Sequence, residues 1–417
     1  MKPSKYKNTE LGPIPEDWEV KGLVSISTLK ARIGWQGLTT SEYLDAGEYY
    51  LVTGTDFYDG KIKWETCHYV EKERYTQDKN IQLKQNDILI TKDGTIGKVA
   101  FIDSIPKKAT LNSGVFVIRP IRDNYISSYL FYIFNSKYFN DFLNQLVAGS
   151  TINHLYQKDF VKFKIPIPPS LTEQKAIATA LSDTDALISS LEQLISKKRA
   201  IKQGAMQELL KPKDGWEVID LHELADYKKE LFDDGDWIES EYITTSGIRL
   251  IQTGNIGVGT FLDKDNKKYI SKESFIKLKC KELKVGDLLI CRLADPAGRA
   301  CLFPNIGEER VITSVDVTIF RPNIDVNRQF LNQIFSTNNW FNSISELCGG
   351  TTHKRISRGA LGKVKIQIPK FKEQTRIATI LSDMDTEIEN LERKLDKYKQ
   401  IKQGMMQQLL TGKIRLV

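Results

Sequence analysis

The residues best placed to do chemistry in this chain sit in short Gly-rich turns, and they are hydrogen-bond donors rather than nucleophiles. Lys92, Thr95 and Lys98 flank a turn holding Gly94 and Gly97, and Arg292 and Arg299 flank the matching turn in the second half. Ser150, Thr151, Asn153 and His154 answer to Thr351, Thr352, Lys354 and Arg355. Thr53 and Thr55 in LVTGTDF answer in turn to Thr253 and Asn255 in LIQTGNIG. Arg and Lys can chelate guanine edges, Asn can pair with adenine, and Ser or Thr can contact base or phosphate. Taken singly, each is more simply a solvated turn residue. The pattern gains weight because the turns recur at equivalent points of the chain.

Bond-making chemistry has no comparable support. Gly94-Thr-Ile-Gly97-Lys98 has only the tail of a phosphate-loop spacing and reads as a turn between two strands. Gly254, Gly257 and Gly259 stand in GxxGxG order, not the dinucleotide GxGxxG. His68, His154, His222 and His353 form no HExxH or HxH pair, so metal ligation is unsupported. The five cysteines lack CxxC spacing and read as reduced, buried thiols with no disulfide or zinc framework. There is no Asp/Asn-Pro-Pro-aromatic stretch to hold a flipped base, and no G-x-S-x-G elbow. The expectation is a chain without catalytic residues, metal or cofactor of its own.

Composition sets wide bounds. The 417 residues suffice for about two to four domains. Hydrophobic residues at 41% and charged residues at 27% describe an ordinary soluble globular chain. A net charge of +7 suits a polyanionic partner without demanding one. No apolar run reaches the ~18 residues of a membrane span, and the N-terminus lacks the apolar core of a secretory signal. The chain is expected in the cytoplasm.

The elements that must position these turns are repeated. EQKAIATALSD at 173–183 returns as EQTRIATILSD at 373–383, and IKQGAMQELL at 201–210 returns as IKQGMMQQLL at 401–410. So long a period is not that of a solenoid; the chain is a duplicated unit of globular module plus long helix. Each helix spans roughly 55–60 Å at ~1.5 Å per residue. Ile377, Leu381, Met384, Ile388, Leu391 and Leu395 recur at steps of four and three, a heptad seam. Ile177, Leu181, Ile188, Leu191 and Ile195 form a weaker copy, which Thr184 and Lys198 interrupt; these two could face the sister helix or a partner protein. The economical arrangement is an antiparallel pair within the chain, the modules at opposite ends. Gly204 and Gly404, which weaken the helices, could mark a kink or close backbone approach.

Before each helix lie short β-branched or aromatic runs, Tyr49–Thr53, Ile88–Thr91, Lys98–Ile102 and Val115–Arg119, bounded by Gly, Asn and Asp. A helix is expected over 126–146, its Leu130, Phe131, Phe134, Phe139 and Phe142 reading as core. The fold class is α+β: two pseudo-repeated β-rich modules joined by two long helices that form an antiparallel coiled coil. Residues 1–165 and 213–368 are the modules; 166–212 and 369–417 are the helical segments. Two modules that keep their scaffold and change their loops suit one kind of task on two targets. The residues leave a second reading open, a coiled-coil interaction scaffold that binds no DNA.

LGPIPEDWEV near the start, PIPPSLTEQKAIATALSDTDALI at 166–188, KQGAMQELL at 202–210 and LLTGKIRL at 409–416 resemble the specificity subunits of type I restriction–modification systems. The likeness covers essentially the whole chain. The second copy departs slightly, with KPKDG before its WEV and PKFKEQ where the first reads PPSLTEQ. The resemblance implies two target-recognition domains, each reading half of a bipartite, asymmetric sequence in double-stranded DNA. It implies helices that dock two methylation subunits, and recruitment of restriction subunits. S-adenosylmethionine, ATP and Mg would be bound by those partners. Half-sites ~34–36 Å apart, about one turn of DNA, would suit a helical ruler.

Overall fold

The computed structural model describes residues 5–122, 124–147, 154–323, 325–350 and 354–416. Contacts divide the chain into two units, one of residues 1–192 with 394–417 and one of 193–393. Each long helix therefore starts in the unit of its own module and continues into the other.

In the first unit the apolar runs are strands: Ser27–Lys30 (β1), Tyr49–Val52 (β2), Ile88–Thr91 (β3), Val99–Phe101 (β4), Ala109–Leu111 (β5) and Val115–Pro120 (β6). Strands β4, β3, β6 and β1 form an antiparallel sheet in that order. A smaller sheet sets β5 parallel to β2, with His68–Val70 beyond. Ile88–Thr91 is apolar nearly throughout because its sheet is covered on both faces. Successive side chains alternate across a strand, so Ile88, Ile90, Phe116 and Ile118 enter the core shared with the helices. Leu89, Val115 and Val117 enter a second core under the small sheet.

The helix expected over 126–146 is two, Ser127–Phe134 (α1) and Lys137–Val147 (α2). Between them Ser136 Oγ donates to Ile133 O (2.7 Å), a local bond that competes with helix continuation. Leu130, Phe134, Phe139 and Phe142 are buried, and Phe131 packs half-buried beside them. The long helix Leu171–Leu209 (α3) follows.

The second unit repeats the plan with Phe232–Asp234 (β7), Ile248–Ile251 (β8), Leu288–Cys291 (β9), Ala300–Leu302 (β10), Val311–Thr313 (β11) and Val317–Phe320 (β12). Helices Arg328–Ile334 (α4), Asn338–Leu347 (α5) and Phe371–Leu409 (α6) complete it. The sheet order β7-β12-β9-β10 and the parallel β8–β11 pair reproduce the first module. Polar struts repeat as well. Arg119 grips Asp87 through Nε (2.6 Å) and Nη2 (2.7 Å), and Arg321 grips Asp287 at 2.8 and 2.6 Å. Both aspartates are buried, so the bidentate guanidinium supplies the charge and hydrogen bonds that burial otherwise denies them.

One glutamine in each copy fastens module to helix. Gln174 Oε1 accepts from Ile126 N (2.8 Å) while Nε2 donates to Pro168 O (2.9 Å). Gln374 does the same with Asn327 N and Pro369 O, both at 2.9 Å.

Within each unit the two helices run antiparallel. In the first, Thr184, Asp185 and Glu192 of α3 meet Met405, Lys402 and Lys399 of α6. In the second, Lys198 and Lys202 meet Glu387 and Asp385. Ile177, Leu181, Ile188, Leu191, Ile195, Ile377, Leu381 and Ile388 are buried; Met384, Leu391 and Leu395 are half-buried. The two interruptions both face the sister helix. Thr184 Oγ1 turns to Ala180 O (2.9 Å) and lies 3.5 Å from Met405 Sδ, and Lys198 lies 2.7 Å from Glu387.

Gly204 and Gly404 differ from expectation. Both helices run unbroken through them, and an added Cβ would meet nothing within 4 Å. Replacing either by Ala should raise the unfolding free energy by about 1 kcal/mol. Thermal melts of the purified chain should show a rise of a few degrees, and no gain would mean that the helical strain assumed here is absent.

The first unit also closes through Arg415. Its Nη1 and Nη2 each donate to Asp17 (2.8 Å), Nη2 also reaches Glu173 Oε2 (2.8 Å), and the guanidinium lies 5.7 Å over the Trp18 ring. Hydrogen bonding to Arg415 holds the Asp17 carboxyl below its ordinary 3.8. A depressed carboxylate contributes stability above its unfolded pKa, and that contribution is lost as pH falls through the folded value. Arg415→Ala should therefore lower the melting temperature at pH 7. The gap to wild type should narrow once the pH drops below 3.8.

Candidate nucleic-acid interface

The loops singled out from the sequence are stitched together at one end of each module. In the first, Asn112 N donates to Val52 O (2.9 Å), Lys92 N to Gly114 O (2.8 Å) and Leu155 N to Lys92 O (2.9 Å). These bonds join the segments after β2, β3 and β5 to the stretch that begins at His154. The second module repeats them. Ser314 N donates to Ile251 O (3.0 Å), Arg292 N to Asp316 O (2.8 Å) and Ile356 N to Arg292 O (3.1 Å). Turn chemistry dictated by β-strand ends thus builds two equivalent loop clusters, each on a rigid sheet.

The side chains fall into two groups. Thr55, Thr95 and Lys98 are exposed in the first cluster, and Lys92 is half-buried with Nζ 5.3 Å from the Phe116 ring centre. His154 pairs through Nδ1 with Asp93 and packs 4.4 Å from the Tyr156 ring. Lys354 and Arg355 are exposed in the second cluster, Arg355 Nη2 lying 2.7 Å from Asp316. Ser150, Thr151, Asn153, Thr351 and Thr352 lie outside the described residues.

The others are committed to holding the loops. Thr53 is buried and its N and Oγ1 both donate to Asp56 Oδ2, at 2.8 and 2.9 Å. Asn255 is buried too; its Oδ1 accepts from Gln252 N (3.0 Å) and its Nδ2 donates to Leu262 O (2.8 Å). Thr253 is half-buried, and its carbonyl accepts from Arg299 Nη2 (3.3 Å). Arg299 spends Nε on Ile256 O (3.0 Å) and Nη1 on Asp295 O (2.5 Å), which clamps its own turn. Arg292 is 3% exposed and donates to Ile356 O (3.1 Å), Val315 O (2.6 Å) and Asp234 Oδ2 (3.0 Å). Burial lowers its pKa and Asp234 opposes that shift. The expectation that Thr53, Asn255, Arg292 and Arg299 present donors outward therefore gives way to a structural role.

Sequence reasoning missed another group. Trp237, Lys264 and Asn266 are exposed and line a cavity of about 490 Å³ with Gln252, Lys268 and Asp316. The polar run DKDNKK at 263–268 was the available signal, unmatched in the first half. What the clusters can do is donate hydrogen bonds and positive charge from rigid loops, which is the chemistry of base-edge and phosphate contact.

Two such loop clusters on one duplicated scaffold define a two-module nucleic-acid reader. The family described as "type I restriction modification DNA specificity domain" matches residues 15–200 and 213–400, and the chain belongs to it. The type I restriction enzyme MjaVIII specificity subunit of Methanocaldococcus jannaschii is 27% identical over 97% of this chain and 94% of that protein. The StySPI specificity subunit of Salmonella potsdam is 23% identical over 92% and 86%. The crystal structure of the type I restriction–modification S subunit from M. genitalium shares the fold, with a TM-score of 0.57 at 16% identity, covering 98% of this chain and 99% of that one. The chain is a DNA-specificity subunit of a type I restriction–modification system. No helix among the described residues is long and apolar enough to cross a membrane.

The division into holders and presenters is testable. Arg292→Ala takes the guanidinium from Asp234, which keeps Thr318 Oγ1 (2.9 Å), and leaves two carbonyls without their donor, and should cost about 3 kcal/mol of stability. Lys98→Ala should leave the melting temperature unchanged and weaken DNA binding. Melts and gel shifts on both variants separate the two roles; a stable Arg292→Ala with reduced DNA binding would return that residue to the interface.

Proposed function

We propose that each module reads one half of a bipartite, asymmetric DNA sequence. The supporting observation is that equivalent loop clusters follow the same strand ends of sheets braced by the same Asp–Arg strut, yet expose different residues: Thr55, Thr95 and Lys98 in one, Lys354 and Arg355 in the other, with Lys264 and Asn266 beside it. A common scaffold with different contact residues is what reading two unlike sequences requires. The phosphate contacts make binding fall steeply with salt. The two long helices, kept nearly alike in sequence, dock two methylation subunits, and the assembly recruits restriction subunits. S-adenosylmethionine, ATP and Mg are bound by those partners, and the complex works in the cytoplasm.

The test is methylome sequencing of a host carrying this chain with its methylation partner. The expected outcome is a split motif with an unspecified spacer, absent when this chain is deleted. Exchanging the 92–98 turn should alter one half of the motif and leave the other. Modification without a split motif, or independent of the chain, overturns the proposal.

A further inference from the structure

We infer that Trp237 is a half-site specificity residue of the second module, the wall against which a base of that half-site packs; the inference rests on the half-site reading above. The residue is mounted unlike an ordinary surface tryptophan. The residue is 69% exposed, although tryptophan is among the most buried residues on average. Its backbone, by contrast, is pinned on both sides. Gly235 N donates to Val317 O (2.8 Å) and Asp236 N to Thr313 O (2.9 Å). The approach at Gly235 is so close that a Cβ there would fall 2.3 Å from Ser314 O. Asp236 Oδ2 accepts from Lys281 N (2.7 Å), and Ile238 packs onto a small core with Ile248 and Ile270.

An exposed indole on a fixed backbone loses little conformational freedom when it makes a contact, having only two side-chain torsions. Its surroundings point to what it contacts. Trp237 lines the cavity together with Lys264, Lys268 and Asn266, and with Leu293 and Asp316 of the stitched loops. The cavity is thus continuous with the loop cluster. An apolar indole face flanked by cations and an amide suits a base edge in a DNA groove with its phosphates, since apolar side chains pack on the thymine methyl, amides pair with base edges and lysines contact the backbone. Tyr227 provides a contrast in the same module. It is 72% exposed, but it precedes β7, whereas Trp237 follows it, and so lies at the other end of that strand.

The experiment uses the full chain assembled with its methylation subunit and a pool of randomised DNA duplexes. Wild type should select a split motif. Trp237→Ala should lose preference within one half of the motif, keep the other half, and bind the wild-type target roughly ten- to hundredfold more weakly. Trp237→Phe should keep the preference, and Tyr227→Ala should match wild type. Lys264→Ala should weaken binding evenly across sequences and reduce the salt slope by about one. A Trp237→Ala complex with an unchanged motif and affinity, or with both halves degraded alike, overturns the inference. Failure of wild type to select any split motif instead overturns the half-site reading, so the two failures are distinct.

Discussion

The attachment of each module to its helix depends on a buried glutamine. Gln174 and Gln374 sit at the first turn of their helices, 1% and 2% exposed, and each satisfies one backbone N–H and one backbone carbonyl. Removing the side chain would leave both backbone groups without a partner in a place water does not reach, and unmade buried bonds are costly. The amide is also directional: its oxygen meets the start of the module's own helix and its nitrogen the proline segment that leads into the long one. This fixes an orientation as well as a contact. A carboxylate of the same length could not donate, and an apolar side chain could do neither, which accounts for EQ standing in both copies.

The same economy holds further out on the sheets. Asp87 with Arg119, and Asp287 with Arg321, are the polar struts that let a charged residue follow an apolar strand without opening the core. Asp185 and Asp385 then bind across to the partner helix, at Lys402 and Lys202, while also accepting from Tyr132 Oη (2.8 Å) and Gln333 Nε2 (3.2 Å). Each of these carboxylates joins a module helix to both long helices of its unit. Loops that emerge from so fixed a frame can change their exposed residues without moving, because backbone bonds and inward-facing side chains such as Arg292 and Arg299 hold them.

Much of this was legible in the sequence, and for a physical reason. Heptad spacing and short apolar runs report burial directly, so α3, α6 and the strands Ile88–Thr91 and Val115–Pro120 were read nearly to the residue. The break at Ser136 was not, since a single serine does not distinguish a helix surface from a helix end. The interface was harder still. Arginine and asparagine types suit base reading, but Arg292, Arg299 and Asn255 point inward, and residue type carries no information on direction. Thr53 failed for a related reason, because a threonine that caps a turn and one that contacts DNA share one spelling. Trp237 was overlooked because tryptophan is ordinarily core, and only its exposure in the fold separates it from Trp18, which is buried completely.

The duplication also has an asymmetry that the repeat alone conceals. In the second unit the chain passes directly from α3 through Leu210 and Trp216 into the strand Glu217–Asp220, so peptide bonds fix that junction. In the first unit the matching residues are remote in sequence, Arg415 and Asp17 being 398 positions apart, and side chains must make the join. Gly412, at φ +68°, lets the backbone press against Pro15 and Trp18, where a Cβ would fall 2.4 Å from Pro15 Cγ. Tyr6 Oη then donates to Gly412 O (3.2 Å), and Arg415 ties Asp17 to the buried Glu173. Glu373, the counterpart of Glu173, instead pairs at 2.7 Å with Arg376 in its own helix. The two equivalent glutamates at the helix starts thus differ in partner because one junction is covalent and the other is held by a guanidinium.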